Sequence, residues 1–312
     1  MSSLDRILPF LRPIEDLLAD PDITEVMVNA GGRHVFVERA GRLQAVTDRV
    51  LEPRNLTVAI KNIARACGDE ISVLQPILDA RLEDGSRVAA MFPPCSVDGP
   101  TLTVRKFGRR YTLADLVTGG MLSQEQAGVL QKGVLDGRNI LISGGTGTGK
   151  TTLLNAIAAT IQPEDRVVLI EETSEIRLEL PNVVRFEARR AVAPLGQEAP
   201  TPAVAIAELL RATLRHRPDR VILGEVRGGE AFDLLQALNT GHRGSLSTIH
   251  ANSATQALIR LAHCVLVANS GLPLEAIRPA VASAIDLVAH VERRGGRRSV
   301  VEVQSTDDSD RP

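Results

Sequence analysis

Apolar side chains recur at helical spacing over residues 3–18, at Leu4, Ile7, Leu8, Leu11, Ile14, Leu17 and Leu18. Pro9 and Pro13 interrupt the pattern, so two short helices are expected. The period then falls to two. Ile23–Val28 reads as a strand, Asn29-Ala30-Gly31-Gly32 as a turn and His34–Glu38 as the returning strand. Leu56–Cys67 has helical spacing again. Ile77–Leu82 and Arg87–Phe92 read as a hairpin across Glu83-Asp84-Gly85, ended by Pro93-Pro94, and Thr101–Phe107 as a further strand. Residues 1–105 therefore predict a mixed α+β domain. Residues 106–111, Lys-Phe-Gly-Arg-Arg-Tyr, read as a solvated linker, because so few charges make a weak nucleic-acid contact.

From residue 112 the pattern alternates between helices and short apolar strands. Asn139–Ser143, Arg166–Glu171, Val183–Glu187, Arg220–Glu225 and Ser245–His250 read as strands. Thr151–Ile161, Val204–His216 and Glu230–Asn239 read as helices, the last stopping at Gly241. Such alternation predicts a parallel sheet flanked by helices. A closing hairpin pairs Leu287–Glu292 with Ser299–Gln304. This second domain is expected over residues 112–306, and the polar stretch 307–312 is expected to be a disordered tail.

Between the first of these strands and its helix lies Gly144-Gly145-Thr146-Gly147-Thr148-Gly149-Lys150-Thr151, a full match to GxxxxGK[ST], followed by Thr152. Glycines let successive backbone N–H groups turn inward around phosphate oxygens. The N-terminus of the following helix adds partial positive charge. In such a loop Lys150 is expected to bridge the β- and γ-phosphates of ATP and the Thr151 hydroxyl to ligate Mg2+. Hydrolysis also needs a carboxylate near the metal and the attacking water. Two strands end in acids: Arg220–Gly224 runs into Glu225, and Val167–Ile170 into Glu171-Glu172. Ligands of open parallel sheets sit at the carboxyl ends of the strands, so both acids are candidates there. Glu225 is the first choice for general base and for a place in the hydration shell of the metal, with Glu172 as the alternative. His250 closes another strand at the same edge.

Composition adds exclusions. Charged residues make up 24% and the net charge is −2, so nothing in the bulk balance calls for nucleic acid or an anionic membrane. Aromatic residues are only 2%, too few for stacking platforms on single strands. Cys67, Cys95 and Cys264 are far apart and form no metal-binding or disulfide pattern. No apolar run approaches the ~20 residues of a membrane span. The start of the chain lacks an export signal, so a cytoplasmic protein is expected, meeting the inner membrane only through partners.

Four ordered blocks resemble the type II/type IV secretion traffic ATPases. They are the phosphate loop, Leu169-Ile170-Glu171-Glu172-Thr173, the run Arg217–Arg227, and Gly241–Asn252 with its two histidines. Asp84-Gly85-Ser86-Arg87-Val88, Pro93-Pro94 and Ile142–Gly147 resemble the conjugal-transfer TrbB type most. Type II secretion and pilus-extension members commonly carry a paired-CxxC insertion that this chain lacks. Pilus-retraction members lack it too, and that alternative stays open. The resemblance implies a RecA-like ATPase domain after a smaller N-terminal domain. It further implies a homohexameric ring with nucleotide between the domains, and partners among inner-membrane secretion or conjugation components. Family arginines that contact the terminal phosphate match Arg87 and Arg105, and Arg227 is a further candidate. Arg211 and Arg215, one helical turn apart, are candidates for a subunit interface or a solvated face. A RecA-like nucleic-acid translocase and an assembly scaffold with negligible turnover are the competing classes.

Overall fold

The computed structural model describes residues 10–39, 41–82, 85–106, 111–189, 202–268 and 271–306. Residues 3–9 of the first helical pattern, 83–84 of the hairpin turn, 107–110 of the linker and the 307–312 tail lie outside the described residues. The chain divides into two compact units, Met1–Arg109 and Arg110–Pro312.

In the first unit a 3-10 turn at Arg12–Ile14 leads into α1 (Glu15–Ala19). Strands β1 (Ile23–Asn29), β2 (His34–Arg39) and β3 (Arg42–Val46) precede α2 (Pro53–Ala66), and β4 (Ile77–Arg81), β5 (Arg87–Met91) and β6 (Thr101–Arg105) follow it. The strands form one antiparallel sheet in the order β3-β2-β1-β6-β5-β4. Leu56, Ala59, Ile60 and Ile63 of α2, spaced three and four apart, join Val26, Val28, Val88, Leu102 and Val104 in a single core. Strand β3 is absent from the sequence reading for a physical reason. It is an edge strand with no buried residue, so it carries no inward alternation to detect.

The second unit opens with α3 (Leu113–Thr118) and α4 (Gln124–Leu135). Each starts from a reciprocal capping box, Thr112 with Asp115 and Ser123 with Gln126. Then come β7 (Ile140–Gly144), α5 (Lys150–Ala158), β8 (Val167–Glu171), β9 (Val183–Glu187), α6 (Ile206–Thr213), β10 (Arg220–Val226), α7 (Glu230–Asn239), β11 (Leu246–Ile249), α8 (Ala254–Val267), α9 (Leu274–Ala284), β12 (Leu287–Arg294) and β13 (Arg297–Ser305). The sheet order is β13-β12-β7-β11-β10-β8-β9, parallel except for β13 at one edge. Alternate strand residues enter opposite cores. Ile140, Ile142, Leu169 and Ile222 pack with Leu130, Leu153 and Ile157 on one face, and Leu141, Ile170, Leu223 and Val288 with Leu234, Leu261 and Ile277 on the other. A mostly parallel sheet with both faces covered by helices is the α/β class expected of this domain. No helix among the described residues is long and apolar enough to cross a membrane.

The amino ends of these strands are tied by a closed polar network. Buried Arg220 donates from Nε to Asp165 Oδ2 at 2.6 Å and from Nη1 to the Val134 carbonyl at 2.7 Å. Gly244, at φ +78°, makes room for it, since a Cβ there would lie 2.6 Å from Arg220 Nη1. Asn139 Nδ2 donates to the Ala284 carbonyl at 2.8 Å and its Oδ1 accepts from the Ser245 N–H at 3.0 Å. The Asn139 N–H donates to Asp286 Oδ2 at 2.7 Å.

Candidate functional site

Strand β7 delivers the chain to the phosphate loop, and α5 begins at Lys150. Gly144 touches the neighbouring strand so closely that a Cβ would meet the Val291 carbonyl oxygen at 2.3 Å. Gly149 enters the helix at φ +101°, a left-handed conformation that side chains resist. The loop folds back on itself, with Thr148 Oγ1 donating to the Gly145 carbonyl at 3.0 Å. Lys150 is buried, and its ammonium donates to the carbonyls of Gly144 at 3.1 Å and Gly145 at 2.9 Å. Burial holds its pKa below the usual lysine range, against the opposing pull of Glu225. Gly145, Thr146 and Gly147 are exposed, and Thr151 and Thr152 are half-buried on the first turn of α5.

The acidic candidates lie at the same edge of the sheet. In β10 the pairing with β11 slips between Leu223 and Val226, so Gly224 and Glu225 form an irregularity in the ladder. Thr248 Oγ1 donates to the Gly224 carbonyl at 2.7 Å and pins the displaced peptide. Glu225 Oε2 accepts from Arg227 Nη2 at 2.9 Å. Its Oε1 lies 2.9 Å from His250 Nε2 yet has no well-aligned hydrogen-bond donor, although it is buried. The other ring nitrogen of His250, Nδ1, is 3.5 Å from Lys150 Nζ. His250 therefore spans the distance between the loop lysine and the strand glutamate. Its pKa is lowered by burial first and by the positive charge of Lys150 next, with Arg227 and Arg260 adding to the effect and Glu225 opposing it.

Consecutive strand residues face opposite sides, and this separates the two acids after β8. Glu171 points inward. Its Oε1 accepts the backbone N–H groups of Glu175 at 2.8 Å and Ile176 at 3.0 Å, and burial pushes its carboxyl up to about 7. Glu172 points outward, and its Oε2 accepts from Arg227 Nη1 at 2.5 Å. Arg227 thus holds two carboxylates together, Glu172 and Glu225.

The other candidate arginines are each described on their own element. Arg87 and Arg105 are register partners on β5 and β6 of the first unit, and Arg87 pairs with Asp79 at 3.4 Å. Arg211 pairs with Asp233 of α7 at 3.1 Å. Arg215 lies past the end of the helix, because α6 ends at Thr213 rather than at His216. Pro218 disfavours helix in the residue before it, and Arg217 takes φ +51°.

One part of this region is missing from the sequence reading. A cleft of about 240 Å³ beside the phosphate loop is lined by Gly145, His250, Ala251, Asn252, Gln256 and Arg260. The signal was the placement of Gln256 and Arg260 four residues apart on α8, directly after the histidine block.

Known proteins share this arrangement of elements. The model of the family described as type II/IV secretion system protein matches residues 10–306. A conjugal transfer protein TrbB from Rhizobium radiobacter is 39% identical over 92% of this chain and 84% of its own length. The type IV secretion system protein PtlH of Bordetella pertussis is 37% identical over 95% of this chain and 94% of its own. Among solved structures, the VirB11 ATPase of the Brucella suis type IV secretion system is 32% identical, with a TM-score of 0.50 over 97% of this chain and 96% of that one. The Legionella pneumophila ATPase DotB, at 21% identity and a TM-score of 0.67 over 98% of this chain and 81% of that one, has the same fold. With nearly its whole length matched by the family model, this chain belongs to the type II/IV secretion system protein family.

Proposed function

We propose that this chain is the Mg-ATP-hydrolysing motor of a conjugal transfer or type IV secretion system, working as a homohexamer that energises pilus assembly or substrate transport. The observation that carries the chemistry is His250 lying between Lys150 and Glu225 at the mouth of a complete phosphate loop. The names and overlap of the relatives support the biological setting: the TrbB relative is a conjugal transfer protein and PtlH a type IV secretion protein. Residues 112–306 form the proposed ATPase domain. The place of work is the cytoplasmic face of the inner membrane, reached through partner proteins.

The residues fit a magnesium ion held together with substrate. Among the described residues no cluster of three or more His, Cys, Asp or Glu side chains makes a closed metal cage. Magnesium prefers few protein oxygens plus substrate phosphates. The Thr151 hydroxyl and Glu225 are oxygen donors of that kind, and Glu225 Oε1 is a buried oxygen still lacking an aligned donor. When bound, the ion neutralises charge on the β- and γ-phosphates. Gly144–Thr152 cradles the phosphates, and Lys150 exchanges its carbonyl partners for phosphate oxygens. Glu225 takes a proton from the attacking water. Water oxygen bonds to the γ-phosphorus as the bond to the bridging oxygen breaks, and that electron pair leaves on ADP. His250 reports the γ-phosphate, Glu172 is the alternative base, and Arg87 and Arg105 are the proposed finger arginines, with Arg227 holding the acids in place.

The test combines phosphate release with light-scattering mass, with and without ATP. Hydrolysis that rises per subunit as rings assemble supports the reading. Absence of phosphate release by the assembled protein overturns it, and turnover dependent on single-stranded DNA assigns the chain to the translocase class instead.

A further inference from the structure

The cleft beside the phosphate loop has a composition that hydrolysis alone does not require. We propose that it is an oxyanion pocket that receives the γ-phosphoryl group as inorganic phosphate after cleavage, with Arg260 as its charged contact. The proposal rests on the ATPase reading above and deepens it.

Location is the first argument. The cleft shares Gly145 with the phosphate loop and His250 with the Lys150–Glu225 bridge, so its wall begins at the residues proposed above to face the γ-phosphate. Its chemistry is the second. The lining carries an imidazole, two carboxamides and a guanidinium, and neither a carboxylate nor a large apolar side chain. Such a set offers hydrogen-bond donors and one fixed positive charge to an anion. Size is the third. At about 240 Å³ the cleft falls below the ~300–1,000 Å³ of sites that enclose drug-sized ligands, and it suits a small tetrahedral anion rather than a second nucleotide.

The state of Arg260 is the fourth argument, and the contrast with Arg227 makes it. Arg227 is held by Glu172 and Glu225. Arg260 makes no hydrogen bond or ion pair with another described residue, although it stands on a well-anchored helix. Ser253 Oγ caps that helix by accepting the Gln256 N–H at 3.1 Å, and Leu261 and Val265 bury its inner face. Guanidinium matches phosphate oxygens two at a time and keeps its charge at any working pH. In the proposed sequence water adds to the γ-phosphorus, ADP departs with the electron pair of the broken bond, and the water proton goes to Glu225. The phosphate then passes His250 and meets Arg260, Gln256 and Asn252 before release.

Inorganic phosphate is the probe, used with the full chain. Its binding is measured by calorimetry without nucleotide, and its inhibition constant is measured in steady-state hydrolysis. Arg260→Ala is expected to weaken both by roughly tenfold or more, the loss of a hydrogen bond to a charged group. Arg260→Lys should recover part of the affinity, and ADP affinity should stay within about twofold, since bidentate loss is local to the cleft. Phosphate that inhibits Arg260→Ala as strongly as the parent, or a parallel loss of ADP binding, overturns the pocket. A parent protein that hydrolyses ATP while its phosphate inhibition ignores Arg260 loses the pocket alone. A parent that releases no phosphate from ATP loses the ATPase reading and the product role together.

Discussion

At the amino ends of the C-terminal strands, Arg220, Asn139, Ser245 and Asp286 sit in a closed network, each with partners of good geometry. At the carboxyl ends, Lys150, His250, Glu225 and Arg260 sit in an open one. Lysine rests on loop carbonyls that a phosphate can replace, Glu225 keeps a buried oxygen without an aligned donor, and Arg260 faces a cleft. Both ends bury charge in the same sheet. What separates structure from function is therefore not the residue type but whether the polar groups already satisfy one another. Satisfied networks fix a fold, and unsatisfied groups await a ligand.

The comparison can be broken most severely at Lys150. Lys150→Ala should reduce phosphate release by about a thousandfold or more, through lost stabilisation of charge in the transition state. Its thermal midpoint should remain close to that of the parent, because the carbonyls it leaves can bind water. Near-parental turnover in a folded Lys150→Ala protein would remove the site from this end of the sheet. Next comes Glu225→Gln, which keeps size and loses basicity. It should slow single-turnover hydrolysis by on the order of 10²–10⁴ while ATP binding persists. A larger effect from Glu172→Gln would exchange their roles.

The opposite end should show the reverse signature. Arg220→Met leaves Asp165 without its cation and should lower unfolding free energy by about 2–4 kcal/mol in denaturant titrations. Turnover per folded molecule should hardly change. Equal losses of stability and turnover would erase the distinction between the two ends.

The smallest expected effect lies beneath the site, at Glu171. Its folded carboxyl is raised from 4.5 to about 7, so the fold favours the protonated form. The stability it contributes is complete below about pH 4.5 and is lost as pH rises through about 7. Glu171→Gln should remove that dependence and exceed the parent above pH 7 by on the order of 1–3 kcal/mol. Thermal midpoints of both proteins at pH 5 and pH 8 check this, and parallel pH profiles would return Glu171 to an ordinary ionised acid.

Much of the carboxyl end was readable from residue order, because the phosphate loop, Glu225 and His250 each lie at or just past the carboxyl end of an apolar strand and so share that edge of the sheet. Glu171 and Glu172 were not separable by that logic, since only the alternation at the end of β8 decides which one is buried. Strand β3 escaped because its side chains are exposed, and α3 and α4 announce themselves mainly through the short capping pairs at Thr112 and Ser123. Arg260 escaped for another reason. Its significance comes from a gap in three dimensions, beside a residue ten positions earlier, and no local pattern records a gap.

The slip in β10 at Gly224–Glu225 has a consequence for anyone who tries to harden this protein. It is a dislocation among parallel strands whose other pairings keep register, held open by the hydroxyl of Thr248 and by the room Gly224 leaves for Glu171, whose Cγ would be 3.0 Å from an added Cβ. Changes that heal a lattice defect commonly raise melting temperature. Here the healed strand would rotate the glutamate away from the histidine and the lysine. Variants selected for heat resistance alone should accumulate at this spot as sturdy proteins with an idle engine.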